Sequence, residues 1–106
     1  MAHKYYPNPT DKVVLSADGP QPQELYGEGE MKVIVAGLEA GQKIPLHPEG
    51  LSTFQFVEGK GVMIVDGERM PVDPGTVIIA GYGAARGMEA ETRLTFIAVR
   101  INEFKH

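Results

Sequence analysis

The residues in this sequence best suited to chemistry are a histidine and a glutamate separated by one position, His47 and Glu49. Residues i and i+2 of a strand point to the same face, so this imidazole and this carboxylate can converge on one centre. A neutral imidazole with a carboxylate forms part of a ligand set for zinc, iron or manganese. The only other histidines, His3 and His106, lie near the ends. Metal or acid–base chemistry based on imidazole therefore depends on His47.

Composition excludes several other classes of site. The sequence has no cysteine, which rules out a disulfide framework, a cysteine zinc site and a thiol nucleophile. The net charge is −4 with dispersed lysines and arginines, which argues against a nucleic-acid partner. No apolar run approaches the roughly 20 residues that span a bilayer, and the first residues lack the apolar stretch of a secretory signal. We therefore expect a cytoplasmic protein with no membrane partner.

The elements that must position this pair are short strands. The chain has 106 residues, enough for one domain, and its 13 glycines and 8 prolines separate short apolar segments rich in β-branched residues. These segments cover residues 31–38, 53–58, 62–65, 68–72, 77–80 and 94–101. The Asp66-Gly67 pair between two of them is the signature of a two-residue hairpin turn. Many short strands with frequent turns predict an all-β sandwich or barrel.

Residues 1–30 differ from the remainder of the chain. Prolines and glycines, including Pro7, Gly19 and Pro20, leave short apolar patches at 13–15 and 25–26, so we expect an irregular N-terminal arm with short edge strands. The best helix candidate, 10–17, is short. Residues 31–106 form the predicted barrel, within one domain overall. Segment 94–99 is apolar on both faces, which indicates cover on both sides and favours a homodimer.

Between Gly41 and Arg86 the sequence resembles the cupin superfamily, small β-barrels of the jelly-roll type. The first cupin motif is matched by Gly41, five residues, His47-Pro48-Glu49 and later Phe56-Val57-Glu58-Gly59. The second is matched by Gly75, five residues, Gly81-Tyr82-Gly83, two residues, Arg86, three residues and Ala90. The resemblance covers about 31–101. It implies a cupin-type double-stranded β-helix, or jelly-roll barrel.

The positions that hold a metal in this family have changed. Metal-binding cupins present three histidines and a glutamate inside the barrel, and only His47 matches. Glu49 replaces the second histidine and Arg86 the third. Arginine has no lone pair to donate and would repel a divalent cation. Gln55 resembles a variant of small cupins that carry glutamine before the Glu-Gly turn, and it could complete the set if it faces inward.

Each of these residues is open to more than one interpretation. His47 is a hydrogen-bonded barrel histidine, a ligand-binding group or a metal ligand. Glu49 and Arg86 form either a mutual ion pair or a fork that recognises an anion. Gln55 points outward or into the cavity. Phe54, Phe56 and Phe96 belong to the core or to the apolar wall of a cavity.

Three functions follow as expectations. The first is a cupin barrel that binds a small polar or anionic organic ligand without the three-histidine metal site, through His47, Glu49, Gln55, Tyr82 and Arg86. The second is a metal-dependent enzyme of dioxygenase or isomerase type, with zinc, iron, manganese or nickel on His47, Glu49 and Gln55. The third is a non-catalytic structural or regulatory module. The sequence favours the first function, with no metal cofactor.

Overall fold

The protein folds into two antiparallel β-sheets that enclose a common core. The structure, a computed structural model, describes residues 3–101, so His106 lies outside the described residues. After a 3₁₀ helix (Pro9–Lys12) come β1 (Gln23–Glu28), β2 (Met31–Leu38), β3 (Lys43–Pro48), β4 (Leu51–Glu58), β5 (Gly61–Val65), β6 (Glu68–Val72), β7 (Val77–Ala80), β8 (Ala85–Ala90) and β9 (Leu94–Ile101). One sheet has five strands in the order β1-β2-β9-β4-β7 and the other has four in the order β3-β8-β5-β6. The predicted all-β jelly-roll architecture is confirmed.

The hairpin between β5 and β6 forms at the predicted turn. Val65 pairs with Glu68, and the two residues between them have positive φ angles of 49° at Asp66 and 87° at Gly67. Positive φ at both central positions is the geometry of a type I′ turn, which matches the twist of the strands. The Asp66 carboxylate also accepts a hydrogen bond from the Ala85 amide at 2.9 Å, which ties the turn to β8.

Two strands lack a clear strand pattern in the sequence. The β3 strand contains Pro45 and Pro48, and Gly87 interrupts β8, whereas central strands usually exclude both residue types. They pair with each other, and His47 lies opposite Arg86 in the register. The fold therefore places these two motif residues side by side.

The N-terminal arm packs onto the barrel. Its β1 strand pairs with β2 and extends the five-stranded sheet. Val13 and Leu15 cover the outer face of β2 at Gly37, where an added Cβ would lie 2.6 Å from Val13 Cγ1. At the helix candidate 10–17, the structure shows only the 3₁₀ turn at Pro9–Lys12. The short turn reflects the Gly19-Pro20 interruption and the weak helical periodicity.

The core lies between the sheets and is centred on three phenylalanines. The Phe96 ring lies 6.0 Å from the Phe54 ring and 5.8 Å from the Phe56 ring, measured between centroids, and all three are buried. Gly59 ends β4 with a φ of 86°, and an added Cβ would overlap the Arg93 carbonyl oxygen. This motif glycine is required both by its backbone angle and by the close approach of the chain.

Candidate ligand-binding cavity

A cavity of about 200 Å³ lies between the two sheets, on the inner side of β3, β4, β8 and β9. Its wall is mostly apolar and consists of Ile34, Ile44, Phe54, Met63, Gly87, Met88, Phe96 and Ala98. The arm contributes Pro20 and Pro22, which the sequence did not indicate. Concave sites of this kind, apolar with a few converging polar groups, are typical of small-molecule binding.

The polar groups gather on one part of the lining. His47 comes from β3, Glu49 from the loop after it, Ser52 from β4, Arg86 from β8 and Arg100 from β9. Both sheets and the β3–β4 loop therefore contribute to this polar end, which we define by these five residues. Four of the five side chains can carry a charge.

Arg86 is a fully hydrogen-bonded, buried cation with 2% of its surface exposed. Its guanidinium donates to five acceptors: the carbonyl oxygens of Glu49 (3.3 Å), Gly50 (2.8 Å), Gly81 (2.8 Å) and Ala84 (3.0 Å) and the hydroxyl of Ser52 (3.0 Å). Arginine has five N–H donors, so the set is complete. Burial lowers the pKa of Arg86 from its ordinary value, and the Glu49 and Asp66 carboxylates oppose that shift. Arg86 thus fastens the loops around the cavity and has no donor left for a ligand.

The Glu49 carboxylate binds other partners than expected. Instead of pairing with Arg86, it accepts from Arg100 Nη1 at 2.6 Å and from His47 Nε2 at 2.7 Å. Burial alone would raise the pKa of the Glu49 carboxyl, but the hydrogen bonds from Arg100 and His47 outweigh it, so the pKa lies below its usual value. Glu49 is therefore an anion at neutral pH, with one oxygen held by each partner.

Both ring nitrogens of His47 face acceptors. Nδ1 lies 2.9 Å from the Pro45 carbonyl oxygen and Nε2 lies 2.7 Å from Glu49 Oε2. A neutral imidazole has one N–H, so both contacts are hydrogen bonds only in the imidazolium form. This is the hydrogen-bonded barrel histidine that the sequence allowed as one interpretation.

Two predicted site residues lie outside the cavity lining. Gln55 is exposed on the outer face of β4, because Ser52, Phe54 and Phe56 alternate inward and the β4–β9 register is regular up to Phe56. Of the two orientations that the sequence left open for Gln55, the structure shows the outward one, so its proposed role as a donor inside the cavity is corrected. Tyr82 lies in the β7–β8 turn, with 53% of its surface exposed, and is not among the residues that line the cavity.

The donor set does not fit the metal that the fold family implies. Among residues 3–101, no three His, Cys, Asp or Glu side chains come together as a metal site. The two candidate ligands, His47 and Glu49, already bind each other. Two guanidinium groups beside them would repel a divalent cation. No metal-dependent step is derived from this site.

Arg100 is the functional residue that the sequence analysis missed. It lies 51 positions from Glu49 in the chain and reaches it because β9 pairs with β4, with Arg100 opposite Ser52. A signal was present: Phe96, Ala98 and Arg100 share one face of β9. A charged residue at an inward position of an otherwise apolar strand is a candidate site residue.

Comparisons with known proteins agree on the fold. No protein-family model and no curated protein matches the chain. Among solved structures, a protein of unknown function from Streptococcus pyogenes matches with a TM-score of 0.82 at 20% identity, covering 99% of this chain and 93% of that one. An RmlC-like cupin from Desulfovibrio desulfuricans matches with a TM-score of 0.81 at 22% identity, covering 92% and 95%.

An enzyme also appears among the similar structures. Salicylate 1,2-dioxygenase from Pseudoaminobacter salicylatoxidans, in complex with gentisate, matches with a TM-score of 0.73 at 19% identity. The match covers 80% of this chain and 26% of the dioxygenase. At these identities the likeness establishes the fold. The protein is a small cupin-fold domain, as its glycine-rich motifs predicted.

Proposed function

We propose that this protein binds a small polar organic molecule in the cavity of its cupin barrel, without a metal ion. The observation that carries the proposal is the cavity itself, about 200 Å³ of space with an apolar wall and one polar end. The cavity is partly open to solvent, and a ligand that enters it removes the apolar wall from water and gains contacts with it. The proposal disfavours the filled-barrel alternative, in which side chains occupy this space.

The polar end supports binding rather than metal catalysis. Arg86 is saturated by carbonyl groups and Glu49 by its two partners, which fixes the shape of this end before a ligand arrives. A preorganised site loses less entropy on binding than a flexible one. The expected ligand therefore places its apolar part against Phe54 and Phe96 and its polar group toward Arg100.

The test compares the wild-type protein with a variant whose cavity is filled. Ala98 lines the cavity, so Ala98→Leu adds volume there, whereas Thr53→Val changes a half-buried residue on the other face of β4. We expect small polar aromatic and branched aliphatic molecules to bind the wild-type protein and Thr53→Val in calorimetric titrations, and Ala98→Leu to lose that binding. Prior treatment with zinc, iron or manganese should leave the affinities unchanged. Absence of binding to the wild type, or binding that requires metal, contradicts the proposal.

We also propose that the protein is a homodimer formed through the outer face of the five-stranded sheet. The supporting observation is an apolar outer surface at the β7 edge, where Val77 and Ile79 are 57% and 67% exposed, continued by Leu51 and Ile101 on β4 and β9. Among residues 3–101 there is no helix long and apolar enough to cross a membrane. A cytoplasmic location stays a prediction from the sequence.

A further inference from the structure

We propose that residues 16–22 of the N-terminal arm form a movable cover over the mouth of the cavity, held closed by a hydrogen bond from Gln42. The cover controls how fast a molecule enters and leaves the cavity, and this role rests on the proposed function. Three features support a cover: the position of the mouth, the path of the arm across it, and the attachment of the arm to the barrel.

The cavity reaches the surface at its polar end. The deep part of its wall is buried, including Phe54, Met63, Phe96 and Ala98. The lining residues that keep accessible surface lie elsewhere and define the mouth: Pro20, Pro22, Ile44, His47, Glu49 and Arg100. A molecule that enters from solvent must therefore pass between the arm and the polar end.

The arm crosses the mouth at Pro20-Gln21-Pro22. Pro20 is half-buried and Pro22 is exposed, although both line the cavity. Each proline fixes its own φ angle, so this short stretch is stiff. Gly19, directly before it, has a φ of 117°, and a Cβ added there would meet nothing within 4 Å. A stiff piece that follows a glycine in open space is suited to move as a unit.

Little buried surface holds the arm in place. None of the described residues from 3 to 24 is buried, whereas β2 is buried over most of its length. Val13 and Leu15 pack at Gly37 just before the cover begins. Segments with few buried apolar contacts open at a lower free energy than core strands. The cover can therefore open while the barrel stays folded.

Gln42, in the turn between β2 and β3, holds the cover closed. Its Nε2 atom donates a hydrogen bond to the Ser16 carbonyl oxygen at 2.7 Å. Its Oε1 atom accepts one from the Glu39 amide at 2.8 Å, which fixes the side chain on the barrel. The substitution Gln42→Glu keeps this acceptor but replaces the donor by a carboxylate oxygen, which cannot donate to a carbonyl group. It therefore removes the attachment of the cover and keeps the attachment to the turn.

The experiment measures how fast a thiol inside the cavity reacts with iodoacetamide. The sequence has no cysteine, so Ala98→Cys introduces a single thiol in the cavity wall. Its thiolate attacks the methylene carbon of the reagent, iodide leaves, and the thiol proton passes to the buffer. Ala98 is only 3% exposed, so a reagent larger than water reaches this position only when the mouth widens. The reaction rate therefore reports opening of the cover.

We expect Gln42→Glu to raise the rate at position 98 about threefold to tenfold, the effect of losing one hydrogen bond that favours the closed form. Gln55→Glu makes the same charge change on the outer face of β4 and should leave the rate unchanged. In a second reporter, Ala36→Cys places the thiol at a fully buried position that is not among the residues lining the cavity. This thiol reports opening of the whole fold, and Gln42→Glu should not change its rate.

Four results overturn the proposal. Equal rates at position 98 with Gln42→Glu and Gln55→Glu show that the Gln42 hydrogen bond does not hold the mouth closed. An equal rise at positions 36 and 98 shows a general loosening of the fold. A rate at position 98 as fast as that of an exposed thiol from Gln55→Cys shows a mouth that is always open, and no reaction at position 98 shows one that never opens.

The reagent reports opening without any bound ligand, which separates this proposal from the proposed function. If no molecule binds in the titrations, the thiol rates still establish or exclude the cover. If the cover is excluded, binding to the wild type and its loss in Ala98→Leu still test the cavity.

Discussion

The Arg86 guanidinium on β8 donates to the Ser52 hydroxyl on β4 at 3.0 Å, and this contact joins the two sheets beside the cavity. The same side chain binds four carbonyl oxygens from the β3–β4 loop and the β7–β8 turn. Arg86, which the resemblance places at the position of the last metal-ligating histidine, therefore serves as a structural clamp. This set of contacts shapes the polar end of the cavity.

Replacing this clamp should strongly destabilise the fold. We expect Arg86→Met, which keeps the aliphatic stem, to lower the free energy of unfolding by about 3 kcal/mol or more, because it leaves several buried acceptors without donors. Urea unfolding at neutral pH measures the change. Arg69→Met removes an arginine from an exposed ion pair and should leave the urea midpoint nearly unchanged. Equal urea midpoints for Arg86→Met and the wild type would contradict the claim that the hydrogen bonds of Arg86 stabilise the fold.

The Glu49 carboxylate should contribute a pH-dependent part of the stability. Its pKa is lowered in the folded protein by Arg100 and His47, against the effect of burial. The stabilisation is therefore fully present at neutral pH and is lost as the pH falls from the ordinary carboxyl range, about 4, through the lower folded pKa. Between about pH 6 and about pH 3 the wild type should lose more stability than Glu49→Gln.

Thermal unfolding over this pH range measures the difference between the two proteins. Glu24→Gln, which removes an exposed carboxylate on β1, is the matched control and should follow the wild type. If the unfolding temperatures of the wild type and Glu49→Gln change in parallel with pH, the hydrogen bonds of the Glu49 carboxylate make no pH-dependent contribution to stability, which contradicts the prediction.

Gly59 should tolerate substitution less well than a glycine with the same backbone angle. Gly59 and Gly67 have φ angles of 86° and 87°, but only at Gly59 does an added Cβ meet the main chain. We expect Gly67→Ala to cost about 1 kcal/mol from backbone strain and Gly59→Ala to cost about 3 kcal/mol or more, since β4 and the Arg93 carbonyl must separate. Chemical unfolding of both variants tests this, and equal losses would show that backbone angle alone explains the motif glycine.

The proposed dimer depends on the exposed apolar residues of β7. We expect light scattering after size exclusion to give twice the 11.5 kDa chain mass for the wild type and a single chain for Ile79→Lys, because burying a lysine in an apolar interface is costly. Leu46→Lys places the same charge at an exposed leucine of the other sheet and should remain a dimer. A wild-type monomer, or a dimer unaffected by Ile79→Lys, excludes this interface.

The fold was largely predictable from the sequence because its turns are specified locally. Gly59, Gly67 and the Asp66 position need backbone angles that few residues adopt, and these positions set the spacing of the strands. The β3 and β8 strands were not predicted, because their prolines and glycine interrupt the pattern of apolar and β-branched residues that indicates a strand. Their stability comes from pairing with each other.

The candidate site was only partly predictable, since it depends on strand register. His47, Glu49 and Arg86 lie in the motifs and all line the cavity. The sequence left two orientations open for Gln55, because a shift of one position along a strand moves a side chain to the other face, and the structure shows the outward one. Arg100 was missed because its contact with Glu49 arises from the pairing of distant strands.

A crystal structure of the untagged protein grown with a small polar aromatic molecule that binds in the titrations tests the central claim most directly, because it locates both the ligand and any metal. We expect the ring in the cavity against Phe54 and Phe96, with its polar group toward Arg100 and no ion between His47 and Glu49. A metal ion bound by His47 and Glu49, with the contact to Arg100 broken, or a cavity closed by side chains, contradicts the account.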